Sequence, residues 1–511
     1  MLNLRNISRA VVVGGGTSGW FAALALRRMF APSTEVRVIE SPAIGIAGLG
    51  EGGLLNLLDA LRRNGIDLTE FVQETGAAFK LGVSYEGWRT GAEDDHYYHL
   101  FGRPGLQETD WMEAGFHPLI SGMVHEGIEL HRYVPGFAAI AGNASQRDAL
   151  AMLRLGASSG LSASFHFDSH RLGDYLRRVA VSRGVVHQQA RVDELLCDEQ
   201  GMARAVRLEG VEEPLALGLL IDASGFARLG IGGKLGVRWR SFSEHLLLDG
   251  VVPFRMPHPQ PNPSLVTRAI AMPSGWMWQM PLVERVGGGY VFSSAHADEA
   301  QAIYEIHRRV GPGVEPMRAL KFEPGHFEQV WVGNVMALGL ASGFVDPLES
   351  SLLGQMLEQL RNFERIVTAG GGVVPGRVIE GFNEANARCW SGIRDFLRMH
   401  YDGPRRDTAF WRDFADLPPP PGYAELRQCF QRRTPRPIDL QNYAIHGWQG
   451  IFHALNWLFV AAPLGVVPRK AAAAELQGLP SASRARVAAY ITRMRELGAA
   501  GDFSSKGDRS A

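Results

Sequence analysis

The amino-acid sequence predicts an α/β protein in which a discontinuous Rossmann-like domain carries an inserted region containing β-sheet, followed by an α-rich C-terminal part. Two observations predict this class. A glycine-rich turn follows a short apolar strand at the N-terminus, and later strand candidates are scattered along the chain with helical stretches between them. The candidate strands lie at 204–210, 215–225, 289–295 and 330–343, and the helical stretches include 146–156 and 170–183.

The N-terminal unit has the pattern of a strand, a turn, a helix and a second strand. The apolar residues 10–13 end in the turn GGGTSG, a helical pattern follows, and the strand at 35–40 ends in an acidic residue. Glycines let the backbone approach a pyrophosphate, the helix N-terminus offers free N–H groups, and the acid can hold a ribose hydroxyl. The residues expected to contact such a dinucleotide are Gly14, Gly16, Thr17, Ser18, Gly19 and Glu40.

A second glycine motif, Gly48-x-Gly50-x-x-Gly53, lacks the same context because no clean strand precedes it. We interpret it as a flexible loop. Without a second nucleotide site, a separate nicotinamide-binding domain is not evident. FAD, which uses the same first-turn fingerprint, is therefore the favoured cofactor.

Composition limits the classes of function. Among 511 residues, 46% are hydrophobic and 21% charged, which supports a large core. The formal net charge of −1 disfavours a nucleic-acid partner, since proteins that bind a phosphate backbone usually carry a basic excess. The 3 cysteines, Cys197, Cys389 and Cys429, are far apart in sequence. A disulfide scaffold and a structural zinc site are thus disfavoured, and a cytoplasmic location fits.

The most membrane-like window is 451–468, but it contains His453, Asn456 and Pro463. A buried or pocket-lining segment is favoured there over a spanning helix, and no membrane association is predicted. Residues 1–415 are predicted to form the core, and their last part, 356–415, is helical and charged. The prolines at 418–421 form a stiff boundary, 422–500 is α-rich, and 501–511 is a flexible tail.

Three features go beyond a nucleotide-binding domain. Trp276-x-Trp278-x-x-Pro281 puts two indoles on one face of an extended segment, where packing of a sheet face is the simpler interpretation. Lys80 has apolar neighbours; it either extends to solvent or, if buried, is a candidate nucleophile or hydrogen-bond donor. Glu349 comes just after Asp346-Pro347 and either caps a helix or acts in catalysis.

A metal site is not predicted. His166 and His170 are 4 residues apart and would share a face on a helix, but the surrounding FHFDSH lacks the acid of a metal-binding helix motif.

Taken together, these residues resemble the flavin-dependent halogenases of the tryptophan-halogenase family. The similarity spans most of residues 9–415. It is carried by GGGTSGW, FKLGVSYEGW, YYHLFGRPG, FHFD, WMWQMP, GLASGFVDPLESS and HYDGPRRDTAFWRD.

The resemblance implies roles for individual residues. Lys80 matches the catalytic lysine, and Glu349 matches the glutamate that orients the oxidant or accepts the ring proton. The paired Trp276 and Trp278 with Pro281 would separate flavin from substrate, with Met280 replacing the family's isoleucine. Substrate contacts are implied for His99, Phe101, Ser350 and Trp457, halide contacts for Ser351 and Leu352, and additional FAD contacts for Gly50, Gly339 and Leu353.

Two segments differ from the family pattern. The family commonly has threonine and then glycine at the positions of Ser351 and Leu352. It has GEATIP where residues 50–55 are GEGGLL.

The resemblance also implies a reaction. FAD, delivered as FADH2 by a separate flavin reductase, would react with oxygen and with chloride or bromide to give hypohalous acid. The acid would travel inside the protein to Lys80, which holds it by a hydrogen bond or as a haloamine, and electrophilic halogenation of an aromatic substrate would follow. A homodimer is common in the family.

Two alternative functions remain open: a single-component FAD-dependent aromatic monooxygenase and a non-catalytic flavin-binding scaffold. The substrate is expected to be uncharged and indole-like or phenol-like. Residues 448–465 contain no carboxylate to pair with the ammonium of free tryptophan, and an unpaired buried charge is costly.

Overall fold

The computed structural model describes residues 1–43, 51–103, 117–155, 160–259 and 262–500. Gly50 and the tail 501–511 lie outside this range, so the predictions made for them stay predictions. The described helices are α1 (Thr17–Met29), α2 (Asn56–Arg63), α3 (Leu68–Thr75), α4 (Pro118–Glu126), α5 (Pro135–Ala141), α6 (Gln146–Arg154), α7 (Ser169–Ser182), α8 (Glu299–Val310), α9 (Ser351–Ala369), α10 (Gly376–His400), α11 (Ala409–Asp416), α12 (Pro421–Phe430), α13 (Ala454–Ala461), α14 (Arg469–Gln477) and α15 (Ser481–Ala500).

A six-stranded sheet forms the nucleotide-binding part, and its parallel strands come from distant parts of the chain. Its order is β22 (Trp331–Val332), β23 (Val335–Ala337), β13 (Leu219–Asp222), β2 (Arg9–Val13), β3 (Glu35–Glu40) and β9 (Val186–Gln189). Only the β22–β23 pair is antiparallel. The predicted discontinuous Rossmann-like domain is therefore confirmed.

An eight-stranded sheet lies in the inserted region. Its strands are β19 (Glu315–Pro316), β15 (Gly250–Met256), β18 (Val286–Phe292), β17 (Gly275–Pro281), β16 (Thr267–Met272), β6 (Gly82–Glu86) and β7 (His96–Leu100) in that order, with β20 (Leu320–Lys321) paired to β15. Helices α12 and α13 bury Phe430 and Trp457 in the same hydrophobic cluster as Tyr85 of β6. The division of the chain at residues 416–421 stays a prediction.

The remaining strands form small sheets. They are β1 (Leu2–Asn3) with β25 (Val373–Val374); β10 (Val192–Cys197), β11 (Ala203–Leu208) and β12 (Leu215–Ala216); β14 (Trp239–Ser241), β21 (Gly325–Phe327) and β24 (Gly343–Phe344); and β4 (Glu51–Gly52), β8 (Ser164–Phe167) and β5 (Ala78–Lys80). The last of these sheets carries Lys80.

The apolar run predicted as a single strand at 330–343 is divided in the structure. It forms the hairpin of β22 and β23 because the turn between them holds Gly333 in a left-handed conformation (φ 55°). The strand predicted at 215–225 is also divided, into β12 of a three-stranded sheet and β13 of the six-stranded sheet. The remaining strand and helix candidates fall on elements whose ends differ from the prediction by a few residues. Within 451–468 the helix is limited to α13. In the part of the chain that the structure describes, no helix has both the length and the apolar character needed to cross a bilayer.

Asn334 joins the β10–β12 sheet to the six-stranded sheet. Its Oδ1 accepts from the Ala203 backbone N–H at 2.8 Å, and its Nδ2 donates to the carbonyls of Ala203 at 2.8 Å and Gly218 at 3.0 Å. The side chain is buried. It therefore satisfies three backbone groups that water cannot reach easily.

We expect Asn334→Ala to lower the free energy of unfolding by about 3 kcal/mol, because each buried polar group left unsatisfied costs about 1–3 kcal/mol. The urea midpoint of unfolding measures this. Gln200→Ala, which removes an exposed amide, is the matched control. A loss below about 0.5 kcal/mol, typical of surface substitutions, would contradict the proposed role.

Candidate active site

The turn after β2 has the geometry of a dinucleotide site. Gly14 has φ 113° and donates its backbone N–H to the Ile39 carbonyl at 2.8 Å. A Cβ at Gly19 would collide with the Gly14 carbonyl, so α1 can start this close to the strand only with glycine there. Gly16 precedes α1 in an extended conformation, and open space surrounds the position of its missing Cβ.

The residues of this turn fit FAD. No side chain caps the N-terminus of α1, so the N–H groups around Thr17 and Ser18 remain available to an anionic pyrophosphate. The carboxylate of Glu40 lies against Gly15, at the end of β3 where a ribose is expected. Gly339 (φ 63°) packs so closely on the Ser18 hydroxyl that a Cβ would collide with it. Leu353 is buried in the first turn of α9.

Lys80, the last residue of β5, is fully buried, so the interpretation that it extends to solvent is wrong. Its Nζ donates to Ser350 Oγ at 2.7 Å. Desolvation lowers the pKa of Lys80 to about 8, although the negative charge of Glu349 opposes the shift. A buried amine with a pKa near neutrality is typical of a functional lysine.

Two residues of β4 connect the nucleotide turn to this lysine. Thr17 Oγ1 in α1 donates to Glu51 Oε1 at 3.3 Å. The next residue is Gly52, where a Cβ would lie 3.1 Å from Lys80 Nζ and 2.9 Å from Ser350 Oγ. Desolvation raises the pKa of Glu51, while the hydrogen bond from Thr17 acts in the opposite direction. Glycine at position 52 thus leaves room for the side chains of the lysine and the serine to meet.

Glu349 and Ser350 both have left-handed backbone conformations, with φ 62° and 54°. Such conformations cost about 1–3 kcal/mol each in residues other than glycine, and they are concentrated at functional sites. They place two consecutive side chains into the core immediately before α9. Glu349 does not cap that helix, because its carboxylate accepts hydrogen bonds from other elements, so the capping interpretation is wrong.

One oxygen of the Glu349 carboxylate, Oε1, accepts from three side chains. Tyr85 Oη donates to it, His99 Nδ1 lies at 2.7 Å, and His400 Nε2 lies at 3.4 Å. Burial alone would raise the pKa of Glu349, but the electrostatic interactions and hydrogen bonds of His99 and His400 outweigh it and lower the pKa well below its ordinary value. The site therefore keeps a buried carboxylate ionised.

His99 and Phe101 flank the two charged groups from β7 and the residues just after it. His99 Nε2 accepts from Asn456 Nδ2 at 2.9 Å, which leaves its Nδ1 hydrogen for Glu349. Phe101 lies under Lys80, with Nζ 5.4 Å from the ring centroid, a cation–π distance. Both residues are buried, and a direct contact of either with substrate stays a prediction.

The paired tryptophans lie on β17 and are buried together. The ring centroids of Trp276 and Trp278 are 6.2 Å apart. Trp276 also contacts Trp88 at 6.5 Å, and Trp88 contacts Tyr85 at 5.4 Å. A continuous aromatic wall therefore connects the pair to the residues around Glu349. Pro281 ends the strand, and the separation of flavin from substrate by these residues stays a prediction.

The N-terminus of α9 has features of an anion site. Ser351 and Leu352 are its first residues, and no side chain caps it. The Ser351 hydroxyl is fully buried and has no hydrogen-bond partner among the described residues. Free N–H groups and the helix dipole favour an anion at such an end. Halide binding there remains a prediction.

Trp457 is the one predicted substrate residue that lies apart from the others. It packs in an aromatic cluster, with ring centroids 5.1 Å from Phe396 and 6.2 Å from Tyr443. Phe396 in turn contacts His99 at 6.0 Å. Trp457 is therefore connected to the site through Phe396, and no ring contact joins it to Phe101 in the described part of the chain.

Sequence reasoning missed four residues of the site: Glu51, Tyr85, His400 and Asn456. Tyr85 and His400 lie within the segments FKLGVSYEGW and HYDGPRRDTAFWRD that carry the resemblance, but no role was assigned to either residue. A polar residue inside an apolar run was the available signal for Asn456. Glu51 matches the acid of the family's GEATIP segment, and that match was the available signal for it.

The two histidines considered for a metal lie on different elements. His166 is in β8, and His170 is in α7, so they do not share a helix face. His166 Nε2 is 2.7 Å from Thr267 Oγ1, and burial lowers the pKa of this histidine well below its ordinary value. Among the described residues, no group of three potential ligands could hold a metal ion.

Comparison with known proteins places the chain in a family. The tryptophan halogenase family model matches residues 9–477. An uncharacterized protein, y4xG, from Sinorhizobium fredii (strain NBRC 101917 / NGR234) is 48% identical over 97% of each chain. Tryptophan 7-halogenase RebH from Lentzea aerocolonigenes is 30% identical over 90% of each chain. The structure of Xcc4156, a flavin-dependent halogenase from Xanthomonas campestris, superposes with a TM-score of 0.77 at 29% identity, covering 96% of each chain. This chain belongs to the tryptophan halogenase family of flavin-dependent enzymes.

Proposed function

We propose that the protein is an FADH2-dependent halogenase that makes hypohalous acid near the flavin and delivers it through Lys80 to an uncharged aromatic substrate. One observation carries the proposal. The fully buried amine of Lys80 donates a hydrogen bond to Ser350 and lies over the Phe101 ring. Ser350 is next in sequence to the ionised Glu349. Burying an amine and a carboxylate costs solvation free energy, which favours a functional role for both groups.

The glycine turn and Glu40 would hold FAD, with Ser18 and Gly339 packed beside it. When bound in its reduced form, FAD supplies the chemistry by which oxygen and chloride or bromide become hypohalous acid. A separate flavin reductase would provide that reduced form, because no second nucleotide motif with the required context is evident. A homodimer in the cytoplasm is the assembly and location that we expect.

The path of the oxidant follows from the start of α9. The predicted halide residues Ser351 and Leu352 come directly after Ser350, whose hydroxyl accepts from Lys80. Oxidant formed at the halide position would therefore lie close to the lysine, because the halide residues and the serine bonded to the lysine are consecutive in sequence. Lys80 would then hold it by a hydrogen bond, and Glu349 would orient it or accept the ring proton.

The aromatic substrate is proposed to be uncharged. Glu349 is the acid whose charge acts on Lys80, and its carboxylate already accepts from Tyr85, His99 and His400. Residues 448–465 supply no other carboxylate for an ammonium group. RebH is named for its action on tryptophan, so the proposal distinguishes this chain from that relative.

Reconstitution tests the activity as a whole. The purified chain is mixed with a flavin reductase, NADH, FAD and chloride or bromide, and an aromatic panel is analysed by mass spectrometry for the halogen isotope pattern. Halogenated product that requires the reductase supports the proposal. Reduction of bound FAD by NADPH without the reductase would instead indicate a single-component monooxygenase.

We expect Lys80→Ala to abolish halogenation while leaving FAD binding unchanged, because the amine is proposed to act after the oxidant has formed. Product is measured by mass spectrometry and FAD affinity by fluorescence titration. Lys321→Ala, which removes an exposed amine on β20, is the control and should keep full activity. Full halogenation by Lys80→Ala would refute the role of the lysine.

The pH dependence distinguishes the two roles considered for Lys80. With its pKa lowered to about 8, the amine is a charged donor below that pH and a neutral nucleophile above it. We expect the kcat/KM for halogenation to fall as pH rises through about 8, since the charged amine donates a stronger hydrogen bond to the oxidant than the neutral amine does. Hypohalous acid trapped by added taurine, measured over the same pH range, corrects for changes in flavin chemistry. A rise in the corrected kcat/KM would favour the haloamine.

We expect indole to be halogenated with a higher kcat/KM than L-tryptophan when the two compete at equal concentration. A zwitterion would lose solvation without gaining an ionic partner, a cost of several kcal/mol. The ratio of halogenated products measures the preference directly. A higher kcat/KM for tryptophan would show that an acid from elsewhere in the chain binds its ammonium group.

A further inference from the structure

The His99 imidazole lies between the carboxylate of the site and helix α13. On one side, its Nδ1 lies 2.7 Å from Glu349 Oε1. On the other side, its Nε2 lies 2.9 Å from Nδ2 of Asn456, which belongs to the first turn of α13. The imidazole is buried, so water does not replace either contact. His99 therefore connects the C-terminal part of the chain to the buried carboxylate.

The N-terminus of α13 fixes the orientation of the Asn456 amide. Asn456 Oδ1 accepts the backbone N–H of His453 at 2.8 Å. A backbone N–H can only donate, so the atom that faces it is the amide oxygen, and the group that faces His99 is the NH2. Exchanging the two atoms would set two donors against each other at His453. The orientation of the amide thus follows from the backbone and does not depend on the histidine.

The amide in turn fixes the hydrogen of His99. An NH2 group can only donate, so His99 Nε2 offers its lone pair and carries no hydrogen. The one ring hydrogen of a neutral imidazole then lies on Nδ1, where it is donated to Glu349 Oε1. A second ring hydrogen, on Nε2, would be directed at the amide hydrogens. The contacts therefore select a neutral His99 in a single tautomer.

A second residue of α13 holds the plane of the ring. Phe459 stacks on His99, with the ring centroids 5.9 Å apart and an angle of 29° between the planes. Asn456 and Phe459 are three positions apart, so they lie on the same face of the helix. Turning the imidazole over would put carbon atoms at both hydrogen-bonding positions, and both hydrogen bonds would be lost. One face of α13 therefore sets the plane and the tautomer of His99.

We propose that Asn456 is a positioning residue of the halogenation site, which holds His99 neutral so that this histidine donates to Glu349 without adding a positive charge. The inference rests on the proposed halogenase function. A doubly protonated His99 would form a charge-assisted hydrogen bond with the carboxylate, which would make Glu349 a weaker acceptor for the ring proton. It would also offset the negative charge that acts on Lys80. A neutral His99 holds Oε1 in place and leaves that charge for the reaction.

Asn456→Asp tests the proposal because it keeps the shape of the side chain and replaces the donor by an acceptor. One carboxylate oxygen can still accept from the His453 N–H, so the start of α13 is retained. The other oxygen faces His99 Nε2 and can only accept, so Nε2 gains a hydrogen while Nδ1 keeps its own. Asn262→Asp makes the same substitution at an exposed position and is the control.

Nitrogen NMR of the histidine rings in the FAD-free chain measures the tautomer and needs neither FAD nor substrate. The His99 signals are those of the 16 histidines that disappear in His99→Gln. We expect hydrogen on Nδ1 alone in wild type and in Asn262→Asp, and on both nitrogens in Asn456→Asp. Hydrogen on Nε2 in wild type would overturn the proposal, whether or not the variant at position 456 folds. A singly protonated His99 in folded Asn456→Asp would also overturn it.

Kinetics with indole measure the consequence for the reaction. We expect Asn456→Asp to lower kcat/KM by about 10- to 100-fold, up to the usual contribution of a positioned acid–base group. Asn262→Asp should match wild type, and both variants should bind FAD as wild type does. A kcat/KM within about 3-fold of the wild-type value, despite a doubly protonated His99, would show that the tautomer has no role in the reaction. If wild type fails to halogenate indole, the proposed activity on indole fails, while the NMR result still decides whether Asn456 controls the tautomer.

Discussion

The hydrogen bond between Lys80 and Ser350 is the constraint on which the rest of the site depends. It joins the end of β5 to the residue before α9, 270 positions later in the sequence. Where the amine meets the hydroxyl in the core, the backbone is left-handed at two consecutive residues, and glycine at position 52 leaves room for both side chains. These are local costs, and the surrounding packing holds them in place.

The charges in this core are arranged for chemistry rather than for stability. Lys80 and Glu349 both lose solvation, and a buried ion pair rarely repays that loss in folding free energy. The compensation is specific: Tyr85, His99 and His400 all direct hydrogen-bonding groups at one carboxylate oxygen. As a result, one oxygen is fixed, and the other has no hydrogen bond from any described residue. Such asymmetry orients a carboxylate toward a reactant.

Much of the fold and part of the site could be predicted from sequence, for physical reasons. The glycine turn is predictable because its function constrains consecutive residues, and Lys80 was singled out by its apolar neighbours. The network was not predictable, because Tyr85, His400 and Asn456 meet only after three distant elements pack together. The division of the run at 330–343 likewise depended on the conformation of Gly333, since the apolar pattern is the same for one strand or two.

The start of α9 brings together the two halves of the proposed reaction. Ser350 contacts the lysine, and Ser351 and Leu352 offer uncapped N–H groups. Leu353 is buried in the same hydrophobic cluster as strand β2 of the nucleotide-binding sheet. Because α9 also packs on α1, the helix at which we expect the pyrophosphate to bind, oxidant production and oxidant use would share one rigid element. The distance that the oxidant travels from the halide position to Lys80 would then be set by α9, and movement of the substrate-binding residues would not change it. The two left-handed residues at 349–350 direct the chain into α9, between the residues around Lys80 and those of the proposed halide position.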